Sequence, residues 1–149
     1  MSGQMNAITL LKDDHENVRK AFDEFKALGA QAYQSKKKLA DEICADLELH
    51  TQLEEEIFYP EFRKAVNDAD PLANEAKVEH DSARELIQQI KDMKAEDQLF
   101  DAKVTVLSEY IDHHVKEEED EMFPRLKETS TDLDELGKRI KARKEELVG

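Results

Sequence analysis

Apolar residues recur at intervals of three and four along most of the chain. Ile8, Leu11, Val18, Phe22, Phe25 and Leu28 form a first stripe, and Leu39, Ile43, Leu47, Ile57 and Phe58 a second. Ala76, Ala83, Ile87 and Ile90 form a third, and Phe100, Val104, Leu107, Ile111 and Met122 a fourth. Each has the period of a helix with one face turned to a core. The breaks fall at Gly29, at "NDADP" (67–71), at "KAEDQ" (94–98) and at "ETSTD" (128–132). Four such segments with short connections predict an all-α fold, an antiparallel up-and-down four-helix bundle over about residues 6–127. A fifth segment, about 131–147, keeps the period through Leu133, Leu136, Ile140 and Leu147, with Ser130 or Thr131 placed to cap it. It predicts a short C-terminal amphipathic helix, laid across the bundle or used as a dimer contact. Its basic run "KRIKARK" (138–144) reads as a solvated face. At this length, residues 1–149 are expected to form a single domain.

Each of the four main stripes is interrupted by polar residues at positions its period assigns to the core. His15 falls between Leu11 and Val18, and His50 and Glu54 fall between Leu47 and Ile57. His80 stands between Ala76 and Ala83, and His114 and Glu118 between Ile111 and Met122. A buried carboxylate without a partner is costly or takes up a proton. A metal inside the bundle offsets that cost, because the cation supplies the missing charge and takes the imidazole lone pairs. A His and a Glu four residues apart lie ~6 Å apart along one helix face, so both can reach one cluster. One histidine on an apolar face is usually a core residue with a satisfied partner. Four of them, one per helix and two with a Glu in the same phase, are not explained that way. His15, His50, Glu54, His80, His114 and Glu118 are therefore candidate metal ligands.

The pattern is also duplicated. "HTQLEEEIFYP" (50–60) and "HVKEEEDEMFP" (114–124) place His, Glu and Pro in the same register, 64 residues apart. His15 and His80 are 65 apart, with "DHENVR" (14–19) echoed by "EHDSAR" (79–84). Two copies of a helix pair imply a pseudo-twofold site with matched halves, which favours two metals. Pro60 and Pro124 each remove an intrahelical hydrogen bond and are expected to kink or end their helices.

The formal charge of −14 disfavours nucleic acid and anionic membranes as partners. The single cysteine, Cys44, precludes an internal disulfide and reads as a small core filler. Neither a signal segment nor a membrane-length apolar run is apparent, so a soluble cytoplasmic protein is expected. Glycine-rich phosphate loops and a nucleophile with a suitably spaced histidine are also absent, which leaves no hydrolase or nucleotide-binding reading.

The order His, His-x-x-x-Glu, His, His-x-x-x-Glu, with proline after each pair, resembles the hemerythrin-like, HHE cation-binding domains over about residues 8–127. The resemblance implies a four-helix bundle holding two non-haem iron ions. It implies His15 and His50 on one iron and His80 and His114 on the other, with Glu54 and Glu118 bridging. It also implies that the partners are small molecules, O2, H2O2 or NO. Oxygen carriers of the family have a further histidine four residues on in the third helix, where this chain has Arg84. Without it both irons keep an open position, which favours redox turnover over reversible O2 binding. Catalase-like peroxide decomposition, in protection against oxidative stress, is the leading expectation. An iron or oxygen sensor, or an iron-handling protein that repairs clusters, is the alternative. Residue types alone also admit zinc or manganese.

Three further residues carry expectations. His113 breaks both the repeat and the stripe, so it is assigned outward or behind a ligand. Tyr110, one turn before His114, reads as a core tyrosine with its hydroxyl at the rim. Tyr59 reads the same way, more weakly.

Overall fold

A computed structural model describes residues 6–148. Among the described residues seven α-helices follow one another: α1 (Ala7–Ala27), α2 (Tyr33–Leu53), α3 (Tyr59–Ala65), α4 (Asp70–Asp92), α5 (Phe100–Glu117), α6 (Phe123–Lys127) and α7 (Leu133–Val148). α1 packs on α2 and α5, and α4 packs on the same two helices, which closes the four-helix bundle. The Asn6 side chain caps α1 by accepting from the backbone N–H of Ile8 at 2.9 Å and of Thr9 at 3.3 Å. The turn before α4 is made by Asp68, whose φ of 57° is one that aspartate tolerates better than most residues.

The helices do not end at the prolines. α2 runs into a π-helical turn, Glu54–Phe58, and continues as α3; α5 does the same through Glu118–Met122 into α6. In each turn a backbone N–H reaches back five residues, from Tyr59 to Glu54 and from Phe123 to Glu118. A proline two residues after such a turn costs little, because the widened turn relieves the clash between its ring and the preceding carbonyls. The expectation of a break is thus corrected to a local widening, placed at the two glutamates.

The apolar side chains form two clusters. One end of the bundle gathers Leu11, Leu53, Phe58, Phe62, Phe123 and Leu126 with neighbours that include Leu136 and Ile140 of α7. The other gathers Phe22, Ile43, Leu47, Ile87, Phe100 and Leu107 with theirs. Between the clusters lies a layer of buried His and Glu.

α7 lies across the bundle and buries Leu136 and Ile140 in the first cluster. Its cap is Asp132, not Ser130 or Thr131: Asp132 Oδ1 accepts from the backbone N–H of Glu135 at 3.0 Å. Its basic run is only partly a solvated face. Arg139 pairs with Glu61 at 3.5 Å, Arg143 with Glu56 at 2.7 Å and Lys144 with Asp14 at 3.2 Å. Lys138 and Lys141 point to solvent.

Cys44 is buried in the second cluster, and burial together with nearby Asp41 and Glu48 pushes its thiol up to about 12. A thiol held there stays protonated at pH 8, where a free cysteine is partly thiolate. Native protein at pH 8 is expected to react with a disulfide reagent at least tenfold more slowly than the same chain in denaturant, as followed by thionitrobenzoate release.

Candidate metal centre

All six sequence candidates lie in the layer between the two apolar clusters. Glu54 and Glu118 are fully buried, and the four histidines are 2–7% exposed. α1 contributes His15, α2 His50, α4 His80 and α5 His114, each from its core stripe. Each glutamate opens a π-helical turn four residues after its histidine.

The donor atoms form two sets that share the glutamates. In the first, one atom each of His15, His50, Glu54 and Glu118 lies within 4.8 Å of all the others; in the second, His80 and His114 replace the first two histidines. His15 Nε2 stands 3.0 Å from Glu118 Oε1, and His50 Nε2 stands 3.2 Å from Glu54 Oε2. Despite these distances none of the four atoms makes a hydrogen bond. They approach one another off the hydrogen-bonding line, as atoms do when aimed at a shared point. Four buried polar atoms without a partner are costly, and a cation among them removes the deficit.

The second set is organised around Tyr59. Its Oη lies 2.6 Å from Glu118 Oε2, 3.0 Å from His114 Nε2, 3.1 Å from His80 Nε2 and 3.2 Å from Glu54 Oε1. Tyr59 reaches this place because of the π-helical turn. In a regular helix, residues five apart point about 140° away from each other; the wider turn returns Tyr59 to the face of Glu54.

Each histidine is fixed from behind by a carboxylate on Nδ1. The pairs are His15–Glu119 at 2.8 Å, His50–Asp14 at 3.2 Å, His80–Glu55 at 2.7 Å and His114–Glu79 at 2.8 Å. An Nδ1–H that donates outward leaves the Nε2 lone pair facing the layer, the arrangement that orients metal-binding histidines.

The layer draws positive charge. Burial lowers His50, but Glu54, Asp14 and Glu118 together raise it to about 10. Burial likewise works against charge on His114, and Glu118, Glu54 and Glu79 hold it well above the usual imidazole range. Against the upward push of burial, the carboxyl of Glu54 is held well below the usual range by His50 and its other neighbours. Burial and the two glutamates raise the Tyr59 hydroxyl well above the usual phenol range. Protons on imidazole balance the carboxylates here, a role that a cation fills equally well.

The hemerythrin HHE cation-binding domain matches residues 6–126 of the sequence. The chain belongs to the hemerythrin HHE cation-binding family. An HHE domain binds metal, and the two buried donor sets fit one. Curated relatives include a DNA nickase from Nostoc sp., 27% identical over 123 residues that make up 83% of this chain and 34% of that protein. Another is an uncharacterized hemerythrin-like protein from Schizosaccharomyces pombe, 24% identical over 127 residues, 85% of this chain and 58% of that one. This HHE domain therefore spans roughly a third and somewhat over half the length of those relatives. Among solved structures, an HHE cation-binding domain-containing protein from Mycobacterium kansasii shares the fold with a TM-score of 0.80 at 24% identity, covering 95% of this chain and 86% of that one.

Several residues of this HHE domain escaped the sequence reading. The four carboxylates behind the histidines each adjoin a residue of the layer: Asp14 precedes His15, Glu79 precedes His80, Glu55 follows Glu54, and Glu119 follows Glu118. Each serves a histidine of another helix, which is why a search within one helix passes over it. Tyr59 has its hydroxyl inside the layer and not at the rim. The signal for it is a mismatch in the repeat, because 64 residues on stands Phe123. Phe123 stacks against His15 at 6.0 Å, whereas Tyr59 puts a hydroxyl among His80, His114 and both glutamates. Tyr110, by contrast, is 47% exposed and not a core residue. The register of α5 turns it outward while Ile111 and His114 face in.

Arg84 does not enter the layer; it donates to Glu55 at 2.6 Å, behind His80, and to Asp81 at 3.0 Å. His113 is outward, as expected, 3.1 Å from Glu117 and 3.4 Å from Glu79. His113→Ala is expected to leave metal content unchanged, whereas His114→Ala is expected to lose at least one metal per chain. Elemental analysis of the two purified variants compares them directly.

Proposed function

We propose that this chain holds two non-haem iron ions and reacts with a small molecule, with H2O2 as the preferred substrate in a catalase-like decomposition. His15 and His50 would serve one iron and His80 and His114 the other, with Glu54 and Glu118 shared between them. Tyr59 Oη is a fifth donor for the second. The observation that carries this reading is the pair of four-atom donor sets sharing two buried carboxylates, one set wholly without hydrogen bonds. Imidazole and carboxylate donors in these numbers suit iron. An iron pair held by these residues would supply reversible electron exchange with a small oxygen- or nitrogen-containing molecule.

The chain's own part is positioning and exclusion. The Nδ1 pairs hold the four imidazoles in one orientation, and Phe58, Met122 and Phe123 on one side with Leu47, Ile111 and Val115 on the other exclude bulk water. Tyr59 Oη lies 2.6 Å from Glu118, and to hold iron it would give up its proton. With Phe123 at the matching position of the other half, this hydroxyl breaks the symmetry between the halves. The charge of −14 speaks against a DNA substrate of the kind named for the Nostoc relative. No helix among the described residues is long and apolar enough to cross a membrane.

The test is iron content per chain and a visible spectrum on one sample, followed by O2 release on addition of H2O2. Two irons and O2 release that stops on removal of the metal support the reading. Iron without turnover would move the chain to the sensory or iron-handling alternative. Zinc in iron's place would overturn the redox reading.

A further inference from the structure

We propose that the cavity between α1, α2 and α7 is the port through which divalent cations reach the buried layer, and that Lys144 is the charge that gates it. The inference rests on the metal-centre reading above. The cavity encloses about 110 Å3 and is lined by Asp14 and Asn17 of α1, Asp46 and His50 of α2, and Lys144 of α7. That volume has room for more than one water, and its lining offers the polar partners a hydrated ion needs. His50 stands at its inner wall and, at 7%, is the most exposed of the six residues of the layer.

Two carboxylates on the walls attract a cation, and one ammonium opposes it. Lys144 Nζ donates to Asp14 Oδ1 at 3.2 Å, and Asp14 Oδ2 accepts from His50 Nδ1 at 3.2 Å. A single carboxylate thus joins the gate to a donor of the first set. While Lys144 occupies Asp14, a cation entering the cavity meets one more positive charge and finds Asp14 already engaged. An uncharged molecule such as H2O2 interacts with this field only through its dipole, far more weakly than a divalent ion does. The gate therefore separates metal traffic from passage of a neutral substrate. It also gives a task to α7, which lies outside the duplicated halves and contributes no donor to the layer.

The experiment mixes metal-free protein with Co2+ and follows the visible absorption of bound cobalt by stopped flow. Wild type is compared with Lys144→Met, Lys144→Glu and Arg139→Met. The last removes a different α7 ion pair, with Glu61, away from the cavity. Uptake is expected to be about tenfold faster in Lys144→Met and faster still in Lys144→Glu, because charge focused in a cleft sets the rate at which an ion arrives. Cobalt per chain at the end should be equal in all four, and the gap should narrow in 1 M salt, where the screening length is about 3 Å. Equal rates in all four proteins would overturn the port and point to metal entering by opening of the bundle. A rate in Arg139→Met as high as in Lys144→Met would assign the effect to docking of α7 and overturn the gate. A wild type that binds no cobalt and no iron would overturn the metal centre itself, and the port with it.

Discussion

Glu118→Ala is expected to abolish both metal sites at once, whereas His15→Ala should leave the second occupied. The difference follows from sharing. Glu118 gives Oε1 to the set with His15 and His50 and Oε2 to the set with His80, His114 and Tyr59, while His15 belongs to one set only. Elemental analysis of the two variants should read near zero for the first and above zero for the second. Equal loss in both would mean that the sets do not fill separately.

The same substitution should also unsettle the fold. Removing a fully buried carboxylate leaves His15 and His114 with one glutamate of the layer, Glu54, instead of two, and Tyr59 loses its shortest contact. Breaking a buried charged pair by deleting one member costs about 3–5 kcal/mol. At about 2–4 °C per kcal/mol for a chain of this size, the melting temperature should fall by on the order of 10 °C. The two apolar clusters on either side of the layer remain, so helix content before melting should be close to that of wild type. Circular dichroism reads both quantities.

The second large effect is expected from Tyr59→Phe. The ring is kept, so packing against Phe58 and His80 survives, but one hydroxyl that touches four donor atoms is lost. If Tyr59 is a donor to ferric iron, its loss removes the phenolate-to-iron charge-transfer absorption in the visible, and the variant should bleach there while both irons stay bound. Peroxide turnover should fall by about tenfold or more, as expected when one hydrogen-bonding group of about 1.4 kcal/mol is taken from a reacting site. Phe123→Tyr is the converse, placing a hydroxyl at the matching position beside His15. A Tyr59→Phe protein with unchanged spectrum and turnover would reduce Tyr59 to a packing residue.

Some of this organisation is legible in the sequence because a helix repeats its faces regularly. The stripes through Leu11, Leu47, Ile87 and Leu107 fix which residues face inward, and the same period carries His15, His50, His80 and His114 into the layer. Glu54 and Glu118 follow from a spacing of four on one face. The 64-residue repeat adds the expectation of matched halves. Each of these inferences uses positions within a single helix, where geometry is set by backbone hydrogen bonds and needs no knowledge of neighbours.

What the sequence could not determine lies between helices. Asp14 supports His50, Glu79 supports His114, Glu55 supports His80 and Glu119 supports His15, and every pair joins two helices. Adjacent acids in the sequence look like solvated faces until the helices are brought together. The π-helical turns belong to this group as well. A proline signals only a missing hydrogen bond, and whether the chain stops, bends or widens depends on packing that holds Phe62 and Leu126 in the core beyond it. That packing, not the local sequence, turns Tyr59 inward. The docking of α7 is likewise a tertiary matter, since Lys144 reads as one more surface lysine until Asp14 lies beneath it. Sequence by itself determined the helices, their inward faces and the six residues of the layer, because these depend on backbone periodicity. Only the tertiary structure decided how the halves differ and what stands behind each histidine, because those depend on side chains that meet across the bundle from distant parts of the chain.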